Sequence, residues 1–343
     1  MKVAILMSGG VDSTVAACLL KDEGFEVMGL TMVNWDISVG EKAKKAAEYI
    51  GIEHKIVDMK KIFAEKVVDY FCRSYEMGET PNPCVECNKY IKFGTLLDIA
   101  LESGCDKVAT GHYARIEYNP ERQRYLLRKG EDKSKDQSYF LYGLKQKQLE
   151  RILFPLGNLT KSKVREIARE YNLPVAESKE SQEICFIEGD YREFLTDRVD
   201  LKPGDFVDLE GRVIGKHKGI PFYTVGQRKG LGLSMGKPVY VVKIDSEDNR
   251  IVVDEERHLF KKGLYAKEPN FIMFDKLEGN MEVEAKVRYR AALAPAVVSM
   301  EGERLKVEFK ETQRAITRGQ SVVLYRGEYV VGGGIIDEVM QLA

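Results

Sequence analysis

Two groups of residues in this chain have the types and spacing that chemistry requires. The first is Ser8-Gly9-Gly10-Val11-Asp12-Ser13, directly after the apolar run "KVAILM". Glycines let backbone N–H groups approach an anion, and a following helix adds unpaired donors and roughly half a positive charge. Ser8 and Ser13 contribute hydroxyl donors. Asp12 suits an anion site only if it holds Mg²⁺ or orients the loop, which points to pyrophosphate chemistry with a metal. The run is neither the Gly-Lys-Ser/Thr loop of kinases nor the three-glycine dinucleotide fingerprint. Its plain alternative is a Gly-rich strand-to-helix turn with a Ser cap.

The second group is sulfur. Cys84 and Cys87 are three apart in "TPNPCVECNKYIKFG", and Cys185 stands far along the chain in "SQEICFI" beside polar Ser181, Gln182 and Glu183. Persulfide transfer needs one thiol to carry the sulfur and a second to finish the transfer; here Cys185 is the candidate carrier. Three thiols are also enough for a [4Fe–4S] cluster with one iron open. Zinc would want a fourth ligand, and His54, His112, His217 and His258 lack finger-like spacing. Thiolate is the reacting form, so the site is expected to lower at least one thiol pKa through Lys89, Lys92 or a helix N-terminus. Cys18, Cys72 and Cys105 have no supporting motif and read as small buried hydrophobes. In "TVGQRKGLGL", Arg228 and Lys229 read as an exposed turn or as a phosphate or partner contact.

The elements that must position these groups alternate in the first half of the chain. "KVAILM", "EVMGLTMV", "EHKIVDM" and "DKVATGH" are strand-like. Between them Val11, Val15, Ala16 and Leu19, then Ala43, Ala46, Ala47 and Ile50, repeat at helical spacing. Further helices are expected near residues 61–73 and over "GTLLDIALESG". Alternation of this kind predicts an α/β domain with a doubly wound, mostly parallel sheet, whose ligands sit at the carboxyl ends of strands. From about residue 200 short β-like runs between Gly, Pro and Asp turns predict a small central β-rich domain, and the final segments a C-terminal β-barrel. The expected boundaries are 1–199, 200–262 and 263–343.

At 343 residues, 44% hydrophobic and 31% charged, the chain has the size of two or three domains with substantial cores. A net charge of -1 argues against a generic, strongly basic coating protein but not against RNA binding on one basic face. No run reaches the roughly 20 apolar residues of a membrane span, and the N-terminal run is too short for a signal peptide. A cytoplasmic setting with no membrane partner, where the six cysteines stay reduced, is the expectation.

"SGGVDS", "TPNPCVECNKYIKFG", "ATGHYAR", "KDQSYFL", "SQEICFI" and "YTVGQRKGLGL" occur in this order. The first resembles the signature of the PP-loop ATP pyrophosphatases, an adenine nucleotide alpha hydrolase-like group that includes GMP synthetase and argininosuccinate synthase. The full set resembles the tRNA-specific 2-thiouridylases. That resemblance implies adenylation by Mg²⁺-ATP of the C2 oxygen of a wobble uridine, followed by sulfur transfer and loss of AMP. It implies tRNA partners of the Glu, Gln and Lys type, and a sulfur donor such as a cysteine desulfurase or relay protein.

Residue by residue, the resemblance assigns Leu6, Met7, Ser8, Gly9, Gly10, Val11, Asp12, Ser13, Met32 and Gly111 to ATP, Cys87 as nucleophile and Cys185 as persulfide carrier. It places Asn82, Pro83 and Cys84 at the target base, and His112, Lys135, Asp136, Gln137, Arg288, Tyr289 and Gln320 at tRNA. One position departs: many family members have Asp where this chain has Cys84. A thiol, with a reference pKa near 8.5 against roughly 3.9 for Asp, does not inherit a permanent negative charge. Cys84 is therefore either an acid/base helper or, with Cys87 and Cys185, a cluster ligand. Two rivals stand beside this reading, a PP-loop amide-forming ligase and a non-catalytic RNA-binding module. A ligase needs no persulfide carrier, and the intact SGGVDS loop speaks against the module.

Overall fold

The computed structural model describes residues 1–34, 38–178, 184–187 and 189–340. Two compact units are distinguished, one formed by Met1–Val67, Cys84–Phe186 and Gly327–Val331, the other by Val68–Pro83, Ile187–Arg326 and Gly332–Ala343.

In the first unit, strands β1 (Lys2–Leu6), β2 (Glu26–Val33), β3 (Glu53–Asp58) and β4 (Lys107–Ala109) are followed by a hairpin, β5 (Ala114–Asn119) and β6 (Arg124–Lys129), and by β7 (Ile152–Leu153). The order β3-β2-β1-β4-β7 is parallel at every pairing. Val3, Ala4 and Ile5 of the central β1 have no exposure, as expected of a strand covered on both faces. Helices α1 (Val11–Asp22) and α2 (Ser38–Ile50) follow β1 and β2. Val15, Ala16, Ala17 and Leu20 of α1 share a core with Ala43, Ala46 and Ala47 of α2 and with Val164, Ile167 and Ala168 of the helix Lys161–Glu170. Small side chains on both helices permit that close packing. Strand order reverses at β1 and β4, so the crevice at their carboxyl ends is the topological switch point.

The helix expected near 61–73 runs from Lys60 to Glu76 with a π-helical stretch at Ala64–Val68. The hairpin β5–β6 is an addition to the elements expected from the sequence.

The second unit holds a four-stranded sheet of β8 (Gly204–Val207), β9 (Val213–His217), β10 (Tyr240–Asp245) and β11 (Arg250–Asp254), in the order β10-β11-β8-β9. Phe206, Ile220, Tyr223, Val241 and Ile251 fill its core. The remaining strands are β12 (Phe260–Phe271), β13 (Met281–Lys286), β14 (Ala294–Glu301), β15 (Arg304–Arg314), β16 (Ser321–Arg326) and β17 (Tyr329–Met340). They pair in the order β12-β15-β14-β13-β16-β17, and β12 pairs β17 to close a six-stranded barrel. Closure leaves no free edge. Leu264, Ala266, Val283, Ala285, Val307 and Phe309 alternate inward to fill it. Among the described residues no helix is long and apolar enough to cross a membrane.

Candidate active site

Leu6 ends β1, and the next residues form a loop that delivers the chain into α1. Met7 N–H donates to Leu30 O, while the Thr31 hydroxyl donates to Met7 O at 2.8 Å, so both backbone groups of Met7 are fixed against β2. Gly9 has φ 72°, and a Cβ there would lie 2.7 Å from the Lys42 carbonyl carbon, near the start of α2. Only glycine fits beneath that backbone. Gly10 caps α1 without any side-chain hydrogen bond, contrary to the Ser-capped turn that was the plain alternative. The Ser13 hydroxyl instead turns back to Gly10 O at 3.1 Å and accepts from Ser8 N–H at 3.3 Å. The first turn of α1 is therefore left for an anion to satisfy.

Asp12 follows the orienting alternative. Lys161 Nζ lies 2.6 and 2.7 Å from its two carboxylate oxygens, and the Tyr113 hydroxyl donates to it at 2.8 Å. Lys161 is buried at the start of its helix, where its own N–H donates to Asp132. Neither Lys161 nor Tyr113 stood out in the sequence as a partner of the loop. Gly111, at the exit of β4, packs on the same spot: a Cβ there would lie 2.9 Å from the Asp12 carbonyl carbon. Met32 is half-buried at the end of β2.

The segment Lys135–Gln137 supports this corner from behind. Gln137 Oε1 accepts from Tyr113 N–H, and Gln137 N–H donates to Tyr113 O. Asp136 is not a solvated loop carboxylate. It is buried, and it accepts from Gly130 N–H, Ser138 N–H and the Ser138 hydroxyl at 3.0, 3.1 and 3.0 Å. Lys135 is half-buried in the same turn.

The thiols lie in the same unit. Cys84 is in the short helix Pro83–Glu86, and Cys87 opens a π-helix, Cys87–Thr95, the kind of widened turn often found at functional sites. Gln148 sustains it by donating to the carbonyls of Lys89 and Phe93 at 3.2 and 2.7 Å. Asn88 donates to Phe140 O, tying "CNK" to "SYFL", and its Oδ1 is buried with no partner among the described residues. Cys84 and Cys185 are exposed whereas Cys87 is buried. Phe186 anchors the Cys185 segment edge-on against Phe63, and Asn34 Nδ2 approaches Cys185 Sγ at 3.8 Å. Ser181, Gln182 and Glu183 lie outside the described residues.

Cys84 and Cys87 both feel the charge of Cys185, and all three thiols feel Lys92. Desolvation by the surrounding protein is the leading cause raising each pKa, even at Cys84 and Cys185, whose side chains still reach solvent; the Cys185 thiolate raises Cys84 and Cys87 further, and Cys87 is pushed up to about 12. Lys92 opposes this at all three. It is half-buried and makes no hydrogen bond or ion pair among the described residues. Lys89 instead sets its ammonium 4.7 Å from the Tyr90 ring centre. The expectation that the site lowers a thiol pKa fails in this state, because desolvation outweighs the single cation. Burial and Lys92 also hold His112 well below the usual imidazole range. Its Nδ1 meets the Thr110 hydroxyl at 2.7 Å. Among the described residues no group of three or more His, Cys, Asp or Glu side chains is placed to hold a metal ion.

The other assigned residues lie in the second unit. Arg288 Nη1 donates to Arg314 O at 3.1 Å, and Tyr289 beside it is half-buried. Gln320 donates to the backbone just before Asn82 and Pro83. Arg228 and Lys229 are exposed on their glycine-rich loop.

A parallel sheet with an uncapped glycine loop at its switch point defines an ATP-pyrophosphatase-type α/β domain, here carrying thiols and followed by two β modules. A family described as "tRNA methyl transferase HUP domain" matches residues 1–189. A "tRNA methyl transferase PRC-barrel domain" matches 192–255, and an "Aminomethyltransferase beta-barrel domain" matches 261–336. The tRNA-specific 2-thiouridylase of Syntrophomonas wolfei is 56% identical over 337 residues, 98% of this chain and 100% of the relative. Those of Carboxydothermus hydrogenoformans and Pelotomaculum thermopropionicum are 49% identical over 98% of this chain and 98% and 97% of their own lengths. The chain belongs to the tRNA-specific 2-thiouridylase family. That membership implies ATP with Mg²⁺ at the loop.

Proposed function

We propose that this chain is a cytoplasmic ATP-dependent tRNA 2-thiouridylase, acting on the wobble uridine of tRNAs of the Glu, Gln and Lys type. The observation that carries the reading is one α/β unit holding both the uncapped Ser8–Ser13 loop and the three thiols Cys84, Cys87 and Cys185. The loop N–H groups, with Leu6, Met7, Met32 and Gly111, hold ATP, and Asp12 with Lys161 keeps the loop in shape. Mg²⁺ supplies charge compensation for the pyrophosphate end when bound.

In this reading the uridine C2 oxygen attacks the α-phosphate of ATP and pyrophosphate leaves. Cys185 carries a terminal sulfane sulfur received from a cysteine desulfurase or relay protein. Cys87 thiolate attacks the inner sulfur of that persulfide, forming a Cys87–Cys185 disulfide and releasing hydrosulfide. Hydrosulfide adds at C2 and AMP departs with the original C2 oxygen. A dithiol reductant supplies two electrons to reopen the disulfide. Asn82 and Pro83 meet the target base with Cys84, whose thiol donates or accepts a proton where relatives use a carboxylate. His112, Lys135, Arg288, Tyr289 and Gln320 contact tRNA, Arg288 and Tyr289 through phosphate and stacking. Asp136 and Gln137 brace that surface. Residues 1–199 act as the catalytic domain, with 200–262 and 263–343 as the β-rich and barrel modules.

The methyl-transferase wording of the matching families is less well supported, because methyl transfer calls for neither an ATP-pyrophosphatase loop nor a pair of thiols. The test is tRNA-dependent pyrophosphate release together with ³⁵S incorporation into tRNA. Cys87→Ser should keep the first and lose the second. Incorporation of ³⁵S surviving in Cys87→Ser would remove Cys87 as the nucleophile, and pyrophosphate release without ³⁵S incorporation by the wild-type protein would favour a ligase-type enzyme.

A further inference from the structure

The loop that leads into Cys84 is gripped from a turn of the barrel, and every contact lies inside the second unit. Gln320 Nε2 donates to Thr80 O at 2.9 Å and to Pro81 O at 3.2 Å. Thr80 N–H donates to Arg318 O at 2.8 Å. Gly319, with φ 85°, lies so close that a Cβ there would be 2.8 Å from Glu79 Cβ and 3.0 Å from Thr80 N. Glu79 is buried, with its Oε1 3.3 Å from Arg318 Nη2 and 3.7 Å from Lys267 Nζ. Gly319 N–H donates to Ile336 O and Ile336 N–H to Gln320 O, so the turn is itself fixed on β17.

A primary amide facing two carbonyl oxygens must present its N–H₂ group, which fixes the orientation of Gln320. Oε1 receives no hydrogen bond from the described residues and is not a buried orphan. An acceptor facing outward is satisfied by a donor, and in RNA the 2′-hydroxyl and the base amines supply one.

We propose that Gln320, Arg318 and Glu79 form a clamp that positions the Thr80–Pro83 loop for sulfur transfer, leaving Gln320 only its acceptor oxygen for RNA. This deepens the thiolation reading and rests on it for the word transfer; the clamp itself is tested without tRNA. Gln320→Glu keeps the shape and the acceptor but removes both N–H groups. In the tRNA-free protein, exchange of the Thr80 amide and alkylation of Cys84 should each accelerate at least about fivefold, the effect of losing one ordinary hydrogen bond, because both bonds from Gln320 are lost. Glu79→Gln, at a buried residue whose carboxylate faces Arg318 and Lys267, should loosen the same segment. It should lower kcat for thiolation while the KM for tRNA stays within about twofold, since a hydrogen bond to RNA is not removed.

Unchanged exchange and alkylation in Gln320→Glu, with thiolation nevertheless reduced, would show that Gln320 acts on RNA alone and would overturn the clamp. If Gln320→Glu does not fold, Glu79→Gln decides by the same two tRNA-free rates. Absence of thiolation by the wild-type protein would count against the functional reading and leave the clamp to the exchange data.

Discussion

Lys161 reaches both carboxylate oxygens of Asp12, at 2.6 and 2.7 Å, from the first turn of a helix that follows the loop by far in sequence. A charge-assisted contact of this kind is stronger than a neutral one, and the partial exposure of Asp12 moderates it. Lys161→Met should weaken ATP binding on the order of tenfold, by letting Asp12 turn toward the phosphates. Titration calorimetry with Mg²⁺-ATP reads this directly. Affinity equal to wild type would show that the pair only stabilises the fold.

Gly111 offers a sterner test of loop shape. An added methyl would meet the backbone of Asp12 and Ser13 at 2.9–3.0 Å, which real Cβ atoms do not tolerate. Gly111→Ala should therefore displace the loop and reduce ATP affinity more than Lys161→Met does, with the two β modules still folded. Retained nucleotide binding would contradict the close approach.

For the thiols the sign is set by burial. The protonated Cys87 is favoured by the fold, so its contribution to stability is complete below the unfolded value near 9 and is lost as pH rises through about 12. Its alkylation should be slow at neutral pH and rise about tenfold per unit toward that value, behind exposed Cys84 and Cys185. Lys92→Met removes the cation common to all three and should slow each at fixed pH; Lys92→Arg should not. Rates indifferent to Lys92→Met would dismiss it as the activating charge.

His112 runs the other way. Burial and Lys92 favour its neutral form, so its contribution is present above an unfolded value near 6.5 and lost as pH falls below it. Denaturant unfolding should show wild-type stability declining below about pH 6.5 more steeply than His112→Gln does. Equal slopes would place the acid-sensitive group elsewhere.

The sequence was most readable where chemistry and periodicity coincided. The glycine loop, the alternation around β1 to β4 and the β-rich second half follow from local patterns that tertiary contacts did not override. Lys161 was not legible, because a lysine opening a polar helix looks like solvated surface until the helix packs beside α1. Asp136 was no more legible: it lies in a loop, yet three internal donors justify its burial. The hairpin β5–β6 was masked by charged residues typical of exposed turns. The thiol pKa direction failed because burial cannot be judged from "PCVEC" alone.

The central claim is sulfur transfer to C2 of a wobble uridine, and nucleoside mass spectrometry tests it most directly. Transfer RNA from cells lacking this protein should contain no 2-thiouridine derivative at the wobble position. Restoring the wild-type chain should return it, and restoring Cys87→Ser should not. Undiminished 2-thiouridine in the deleted cells, or full recovery with Cys87→Ser, would contradict the account.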